Sequence, residues 1–140
     1  IKKILPKYVF MGEKDFQQFF LVKKYLEKIY KCKIVLCKTI RDNHQVALSS
    51  RNLFLDKKEL NIASFIAKKL IKLKKIISHN KTKKNNLINI LKRNLITKFN
   101  IQVEYLEARN IKNLKSNITN ENFKIFIAYY LKGIRLIDNF

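Results

Sequence analysis

The amino-acid sequence predicts an α/β chain in two parts. A strand–helix–strand (βαβ) unit comes first, and a small α+β domain follows, with two helices on a three-stranded antiparallel sheet. Three observations carry this. Two short apolar runs, ILPKYVFM (4–11) and KCKIVLC (31–37), flank a stretch with helical apolar spacing. Two further helical stretches occupy about residues 56–99. From residue 101 onward the chain runs in strand-length pieces around a Lys132-Gly133 turn signal.

Residues 4–11 read as a short buried strand, entered through Pro6 and ended by Gly12. The helix from about Phe16 to Tyr30 sets Phe16, Phe19, Phe20, Leu26, Ile29 and Tyr30 near one face. Strand, helix and strand in this order imply a parallel pair with a right-handed crossover. Two such strands need further strands that this chain does not obviously supply. The segment Thr39 to Asn52 is polar and aperiodic, a loop and hinge. Asp56 is placed to N-cap the next helix, with Glu59 three residues on completing a capping box. That helix runs to about Ser78 and carries Leu60, Ala63, Ala67, Leu70, Leu73 and Ile77 at helical spacing. SHNKTKKNN reads as a linker, and Leu87, Leu91, Leu95 and Phe99 mark a second helix. Residues 101–107 alternate Ile, Val, Tyr against Gln, Glu as a strand, and KNLKSNITNEN is an Asn-rich loop. FKIFIAYYL and IRLIDN then form a hairpin.

Composition narrows the function classes. The 140 residues hold 31 Lys+Arg against 10 Asp+Glu, a formal charge of +21. Such a balance invites a nucleic-acid reading. Of those cations 26 are Lys and 5 Arg, while Asn occurs 15 times and Ile 20 times. Lys, Asn and Ile share A/T-rich codons, so compositional drift explains the joint excess; base readout would favour Arg. No specific nucleic-acid partner is therefore expected. No apolar run approaches the about 20 residues of a membrane span, so no membrane role is expected. The start lacks a signal-peptide pattern, and Cys32 and Cys37 are too few for a disulfide scaffold, which together point to the cytoplasm.

Two short segments carry candidate chemistry. Gly12-Glu13-Lys14-Asp15 stands where a strand meets a helix, the place where open α/β sheets bind ligands. A helix N-terminus attracts anions, Gly12 lets backbone approach a ligand, Lys14 brings a cation to a phosphate, and Asp15 can accept from ribose hydroxyls. A plainer reading makes Asp15 an N-cap, with Gln18 completing a D-x-x-Q capping box. Ser49-Ser50-Arg51-Asn52 offers hydroxyls, backbone donors and a guanidinium to a phosphate chain, or forms local turns in a solvated loop. His44 and His79 have no partners at ligand spacing, and Cys32 and Cys37 make a poor zinc half-site, so no metal site is expected. The lysines at 68, 69, 72, 74 and 75 read as a solvated helix face.

The stretches PKYVFMGEKDFQQF, IRDNHQVALSSRNLFL, QVEYLEAR and GIRLIDN, in this order, closely resemble the pantoate–β-alanine ligase (pantothenate synthetase) family. The resemblance implies an ATP-dependent ligase of the nucleotidyltransferase superfamily. Pantoate would attack ATP to give pantoyl adenylate and pyrophosphate, and β-alanine would displace AMP, with Mg²⁺ accompanying the nucleotide. It further implies that Gly12, Glu13, Lys14 and Asp15 line the ATP site, with Lys14 on the phosphates and Asp15 and Gly12 on the ribose. Gln18 would bond pantoate. Ile40 would touch the nucleotide, and Leu48, Ser49, Ser50 and Arg51 would grip its phosphates. Residues 1–39 would be the C-terminal part of a Rossmann-like ATP-binding domain, and 40–140 a small α+β lid.

Three positions depart from the family pattern. Lys38 stands where Pro is usual, His44-Gln45 where Asp-Gly is usual, and Asn110 where Asp is usual. The resemblance covers the family's C-terminal half only. It implies that the 140-residue chain does not ligate alone, and that any homodimer forms through the N-terminal half. A basic RNA-binding module and an inactive remnant of the ligase are the alternatives. Steep salt dependence would set the first apart; an upstream reading frame with a His-rich nucleotide motif would favour the ligase, and a stop codon there the remnant.

Overall fold

A computed structural model describes residues 2–79, 84–118 and 122–140. The chain folds as two compact units, Ile1–Ile40 and Arg41–Phe140. The architecture is α/β, with a parallel strand pair in the first unit and a three-stranded antiparallel sheet in the second.

In the first unit β1 (Tyr8–Gly12) pairs in parallel with β2 (Lys33–Cys37), Gly12 opposite Cys37. The connection is α1 (Phe16–Tyr30), which has the bounds its apolar spacing predicts. It stops at Lys31, which turns left-handed at φ 50. The Glu27 carboxylate accepts the Ile34 N–H at 2.8 Å and ties the last turn to β2. Phe16, Phe19, Cys32 and Ile34 are buried.

Three expectations for this unit need correction. The first strand is neither as long nor as buried as 4–11 suggests. Leu5 takes a positive φ of 47 just before Pro6, so extended pairing starts only at Tyr8. Tyr8 and Phe10 stay 47% and 68% exposed, because a two-stranded sheet with one helix covers a single face. Ile29 is likewise 66% exposed rather than on the packed side of α1. Finally, Asp15 occupies the N-cap position but makes no capping hydrogen bond. A 3-10 turn over Glu13–Asp15 runs straight into α1, and such a turn can satisfy first-turn N–H groups from the backbone itself.

In the second unit, α2 (Lys57–His79) and α3 (Lys84–Phe99) cover a sheet of β3 (Gln102–Asn110), β4 (Phe123–Leu131) and β5 (Ile134–Asn139), in the order β3-β4-β5. Ala63, Ile66, Ala67, Leu70, Leu73 and Ile77 of α2 join Ile88 and Leu95 of α3 in one core with Ile125, Ile127 and Tyr129 of β4. Ile66, Leu70, Ile125 and Ile127 are fully enclosed. Burying a side chain of this kind contributes about 1.5–3 kcal/mol. The β4–β5 connection is Lys132-Gly133 with φ 46 and 77, the paired positive φ values of a type I′ hairpin turn.

α3 begins three residues before Leu87, one turn ahead of its apolar signal. Residues 80–83 of the expected linker and 119–121 of the Asn-rich loop lie outside the described residues. β3 extends to Asn110, and its register shifts between Val103 and Tyr105. The shift moves Leu106 rather than Tyr105 into the core, so the simple alternation fails after Val103. Asn110 is buried and uses both ends of its amide: Nδ2 donates to the Asn117 carbonyl at 3.1 Å, and Oδ1 accepts the Lys112 N–H at 2.8 Å. An aspartate could not make the first of these bonds, which gives the Asn a structural reason.

The capping box forms as predicted. Asp56 Oδ1 accepts the N–H groups of Lys58 and Glu59 at 2.8 and 3.0 Å, and Glu59 Oε2 accepts the Asp56 N–H at 2.8 Å. The Lys132 ammonium, 2.6 Å from Asp56 Oδ2, joins this cap to the β4–β5 turn. Its hydrogen bond, with that from the Glu59 backbone, holds the Asp56 carboxyl below its ordinary value of 3.8. A lowered folded-state value stabilises the fold above the ordinary value and stops doing so as pH falls through it. Asp56→Asn keeps a cap acceptor but cannot titrate. Its melting temperature should therefore fall less than that of the parent between about pH 5 and about pH 2. Equal losses in thermal melts would remove the ion pair from the account.

Candidate functional site

The first candidate segment sits at the C-terminal ends of β1 and β2. Gly12 is the last residue of β1, and the 3-10 turn brings Glu13, Lys14 and Asp15 directly after it. The Glu13 carboxylate accepts the Thr39 N–H at 3.3 Å and holds the exit of β2 beside this turn. Glu13 and Lys14 are half-buried and engaged within the chain, whereas Asp15 and Gln18 are exposed. Gly12 has φ −68 and ψ 135, ordinary extended backbone. Among the described residues, a Cβ added there meets nothing within 4 Å. Neither the backbone nor the packing of this unit requires a glycine at that point.

Thr39 is a residue that its sequence context marks only as loop. Its Oγ1 is buried and has no hydrogen-bond partner among the described residues. A buried unsatisfied hydroxyl next to the Glu13 turn is unusual enough to mark the position. The only signal in the sequence is its place just after an apolar strand.

The second segment belongs to the other unit. Leu48 is 56% exposed, Ser49 half-buried, and Ser50 and Arg51 exposed. A 3-10 helix over Ser50–Phe54 occupies part of the expected loop. Ser49 caps it: its Oγ accepts the Arg51 N–H at 3.3 Å, and its carbonyl accepts the Asn52 N–H at 3.0 Å. Asn52 Nδ2 donates back to the Ala47 carbonyl at 3.0 Å. Among the described residues the Arg51 guanidinium makes no ion pair or hydrogen bond, and Leu53 and Phe54 are 85% and 73% exposed. Ile40, the last residue of the first unit, is 71% exposed.

What holds the second segment is Arg41, to which the motifs assign no role. Its Nη1 and Nη2 donate to Asp138 Oδ2 and Oδ1, both at 2.8 Å, a bidentate pair. The same guanidinium donates to the Gln45 and Asn139 carbonyls at 2.9 and 3.0 Å and lies 4.3 Å from the Phe140 ring centroid. The side chains of Arg41 and Asp138 are 18% and 11% exposed, so little water competes. Between Arg41 and Ser49 the chain turns tightly. Asp42 Oδ1 accepts the N–H groups of His44 and Val46 at 2.9 and 2.8 Å, and Ser64 Oγ donates to the His44 carbonyl at 2.9 Å. Gln45 sits in this turn at φ 71, left-handed backbone that suits glycine.

Among the described residues, no three His, Cys, Asp or Glu side chains gather as a metal site. Cys32 is buried and Cys37 exposed, both free. No described helix is long and apolar enough to cross a membrane.

Comparison with known proteins places the chain. A family model described as pantoate-beta-alanine ligase matches residues 1–140. The pantothenate synthetase of Campylobacter hominis is 33% identical over 138 residues, which is 96% of this chain and 49% of that protein. A bifunctional pantoate ligase/cytidylate kinase of Prochlorococcus marinus is 36% identical over 141 residues, 99% of this chain and 27% of that protein. The crystal structure of pantothenate synthetase from Thermus thermophilus superposes with a TM-score of 0.84 at 22% identity, covering 98% of this chain and 50% of that one. A pantoate-beta-alanine ligase from Francisella tularensis, complexed with beta-gamma ATP and beta-alanine, gives 0.67 at 27% identity over 99% of this chain and 45% of that one. The chain thus spans about half the length of the pantothenate synthetases it matches.

The turn geometry yields a direct test. Gln45→Gly relieves a left-handed L-residue while freeing the unfolded chain, a net gain of about 0.5–1 kcal/mol. Urea unfolding should show a higher midpoint with an unchanged slope. A lower midpoint would mean that the Gln45 side chain holds the turn more than its backbone strains it.

Proposed function

Because the chain belongs to the pantoate–β-alanine ligase family, we propose that its two units are the C-terminal half of an ATP-dependent ligase that condenses pantoate with β-alanine through pantoyl adenylate. In this reading the unit Ile1–Ile40 is the C-terminal part of a Rossmann-like ATP-binding domain, and Arg41–Phe140 is a small α+β lid domain. A carboxylate is a poor electrophile. One pantoate carboxylate oxygen attacks the α-phosphorus of ATP, the bond to the β,γ-phosphates breaks, and pyrophosphate leaves with its electron pair. The β-alanine amine then attacks the acyl carbon, AMP departs, and the amine proton passes to solvent.

The residues divide this work by chemistry. Gly12 admits nucleotide backbone or ribose close to β1, and Asp15 accepts from ribose hydroxyls. Lys14 offsets charge on the phosphates as the α-phosphorus is attacked. Gln18 orients pantoate, and Ile40 gives the nucleotide an apolar contact. Ser49 and Ser50 donate to phosphate oxygens, Arg51 grips them with two N–H groups, and Leu48 shields them. Glu13 is a positioning residue that keeps the turn against the exit of β2. Mg²⁺ in this scheme travels on the triphosphate, since Mg²⁺ is usually held by one or two carboxylates plus phosphates rather than a protein cage.

One observation carries the reading beyond family membership. Three of the residues assigned to the ligand, Gly12, Asp15 and Arg51, show no structural use among the described residues. Asp15 stands at a helix start without capping it, Arg51 finds no acid, and Gly12 has free space where a side chain would be. The ordinary structural explanations for these three residues do not apply.

The purified 140-residue chain tests it. With ATP, pantoate and β-alanine it should release no AMP above background. Millimolar ATP should nevertheless shift the backbone amide resonances of Gly12, Lys14, Ser49, Ser50 and Arg51, and Lys14→Ala together with Arg51→Ala should weaken those shifts at least about tenfold, a loss of about 1.4 kcal/mol. ATP shifts confined to other residues would sink the assignment, as would AMP release that depends on both acids.

A further inference from the structure

The outer surface of α2 and α3 holds a groove that the ligase reading does not use. Two adjoining cavities of about 390 and 600 Å³ lie along it and share Phe65 and Lys98. Phe65 and Phe99 form the floor, their rings edge-on with centroids 5.1 Å apart. Lys57, Lys58, Lys69 and Lys98 form the rim, and no Asp or Glu lines either cavity. Measured along α2 from Lys58 to Lys69, the groove is about 16 Å long at the rise of an α-helix.

The charges around it are unbalanced. The described residues of the two helices carry eleven Lys and Arg against one acid, Glu59. That acid is already spent: one oxygen accepts the Asp56 N–H, and the other lies 3.1 Å from the Lys132 ammonium. Two of the rim ammoniums, those of Lys69 and Lys98, lie over the rings. Lys98 Nζ is 4.2 Å from the Phe65 centroid and 5.4 Å from that of Phe99, and Lys69 Nζ is 5.2 Å from Phe65. Such contacts are weak at exposed sites, about 0.5–1 kcal/mol each. A ligand bringing both anionic groups and flat rings would gain twice, because ammoniums that move to phosphates uncover ring faces for stacking.

We propose that this groove binds single-stranded RNA without sequence preference, the lysines contacting successive phosphates and Phe65 and Phe99 stacking bases. Single-strand sites elsewhere combine a basic track with aromatic platforms in this way. The exposed amides of Asn61 and Asn94 line the same cavities and offer hydrogen bonds to base edges. With lysine rather than bidentate arginine on the rim, no base is singled out. An acidic peptide would satisfy the charges but leave the ring faces without a partner. A duplex would keep its bases stacked inside.

Fluorescence anisotropy of a labelled oligouridylate of about twelve nucleotides, at about 50 mM salt, tests this. The 140-residue chain should bind it, and Lys69→Gln with Lys98→Gln should weaken binding at least about fivefold. Lys112→Gln with Lys115→Gln removes the same charge from the β3–β4 loop and should cost less than about twofold. Phe65→Leu, an apolar replacement, should cost at least about fivefold, the lower end expected for one stacked base. Poly-glutamate of equal charge should compete poorly. Absence of binding overturns the proposal, and so does equal weakening by the two lysine pairs or equal competition by poly-glutamate. Unchanged affinity in a folded Phe65→Leu also overturns it. If that variant does not fold, the lysine pairs and the competitor decide.

Discussion

The guanidinium of Arg41 is the constraint on which the segment from Asp42 to Asn52 depends. It binds the Asp138 carboxylate with two N–H groups at 2.8 Å each, then two carbonyls, and it stacks on Phe140. One side chain thus joins the first residues of the unit to the end of β5. Everything from the Asp42 turn to the Ser49 cap hangs between that anchor and α2. Removing one member of a fully buried pair costs about 3–5 kcal/mol, because a charge is left behind; here the cost is less, as both side chains retain some solvent. The gain is directional. A bidentate fork fixes orientation as well as distance, and so sets the direction in which the chain leaves Arg41 toward the 3-10 helix at Ser50–Phe54.

QVEYLEAR and GIRLIDN serve the sheet. Glu104 on β3 receives Tyr130 from β4 and Arg135 from β5, a polar ladder across all three strands, and Arg135 holds the Glu104 carboxyl below its ordinary value. Glu107 pairs with Arg109 along β3. Arg41, Arg109 and Arg135 therefore each have an acid, and Arg51 does not. In a chain with 31 cations and 10 acids, the fold allots acids to the arginines that orient strands, while Lys69 and Lys98 lie over ring faces.

The sequence revealed those elements whose signals are local. α1, the capping box of α2, and the β4–β5 hairpin follow from apolar period, an Asp-x-x-Glu pair and Lys-Gly with paired positive φ. What it concealed depends on contacts between distant residues or on backbone offsets. The register shift after Val103 is invisible to a count of alternating residues, yet it decides that Leu106 enters the core. The exposure of Tyr8 and Phe10 depends on how many neighbours the strand pair has, not on its own composition. Asp15 misled for a related reason: its type and spacing suit a cap, but a 3-10 turn ahead of it changes the geometry. The candidate site was legible as residue types at a strand end and a helix start. Its support by Arg41, 97 positions from Asp138, was not.

Amide hydrogen exchange tests this dependence most directly. In the parent chain the N–H groups of Asp42, Val46 and Asn52 are all hydrogen-bonded within the anchored segment. Arg41→Gln should speed their exchange at least about tenfold while the β3 and β4 amides keep their protection, as expected of a local opening. Unchanged exchange at those three amides, or an equal loss across the whole sheet, would contradict the account.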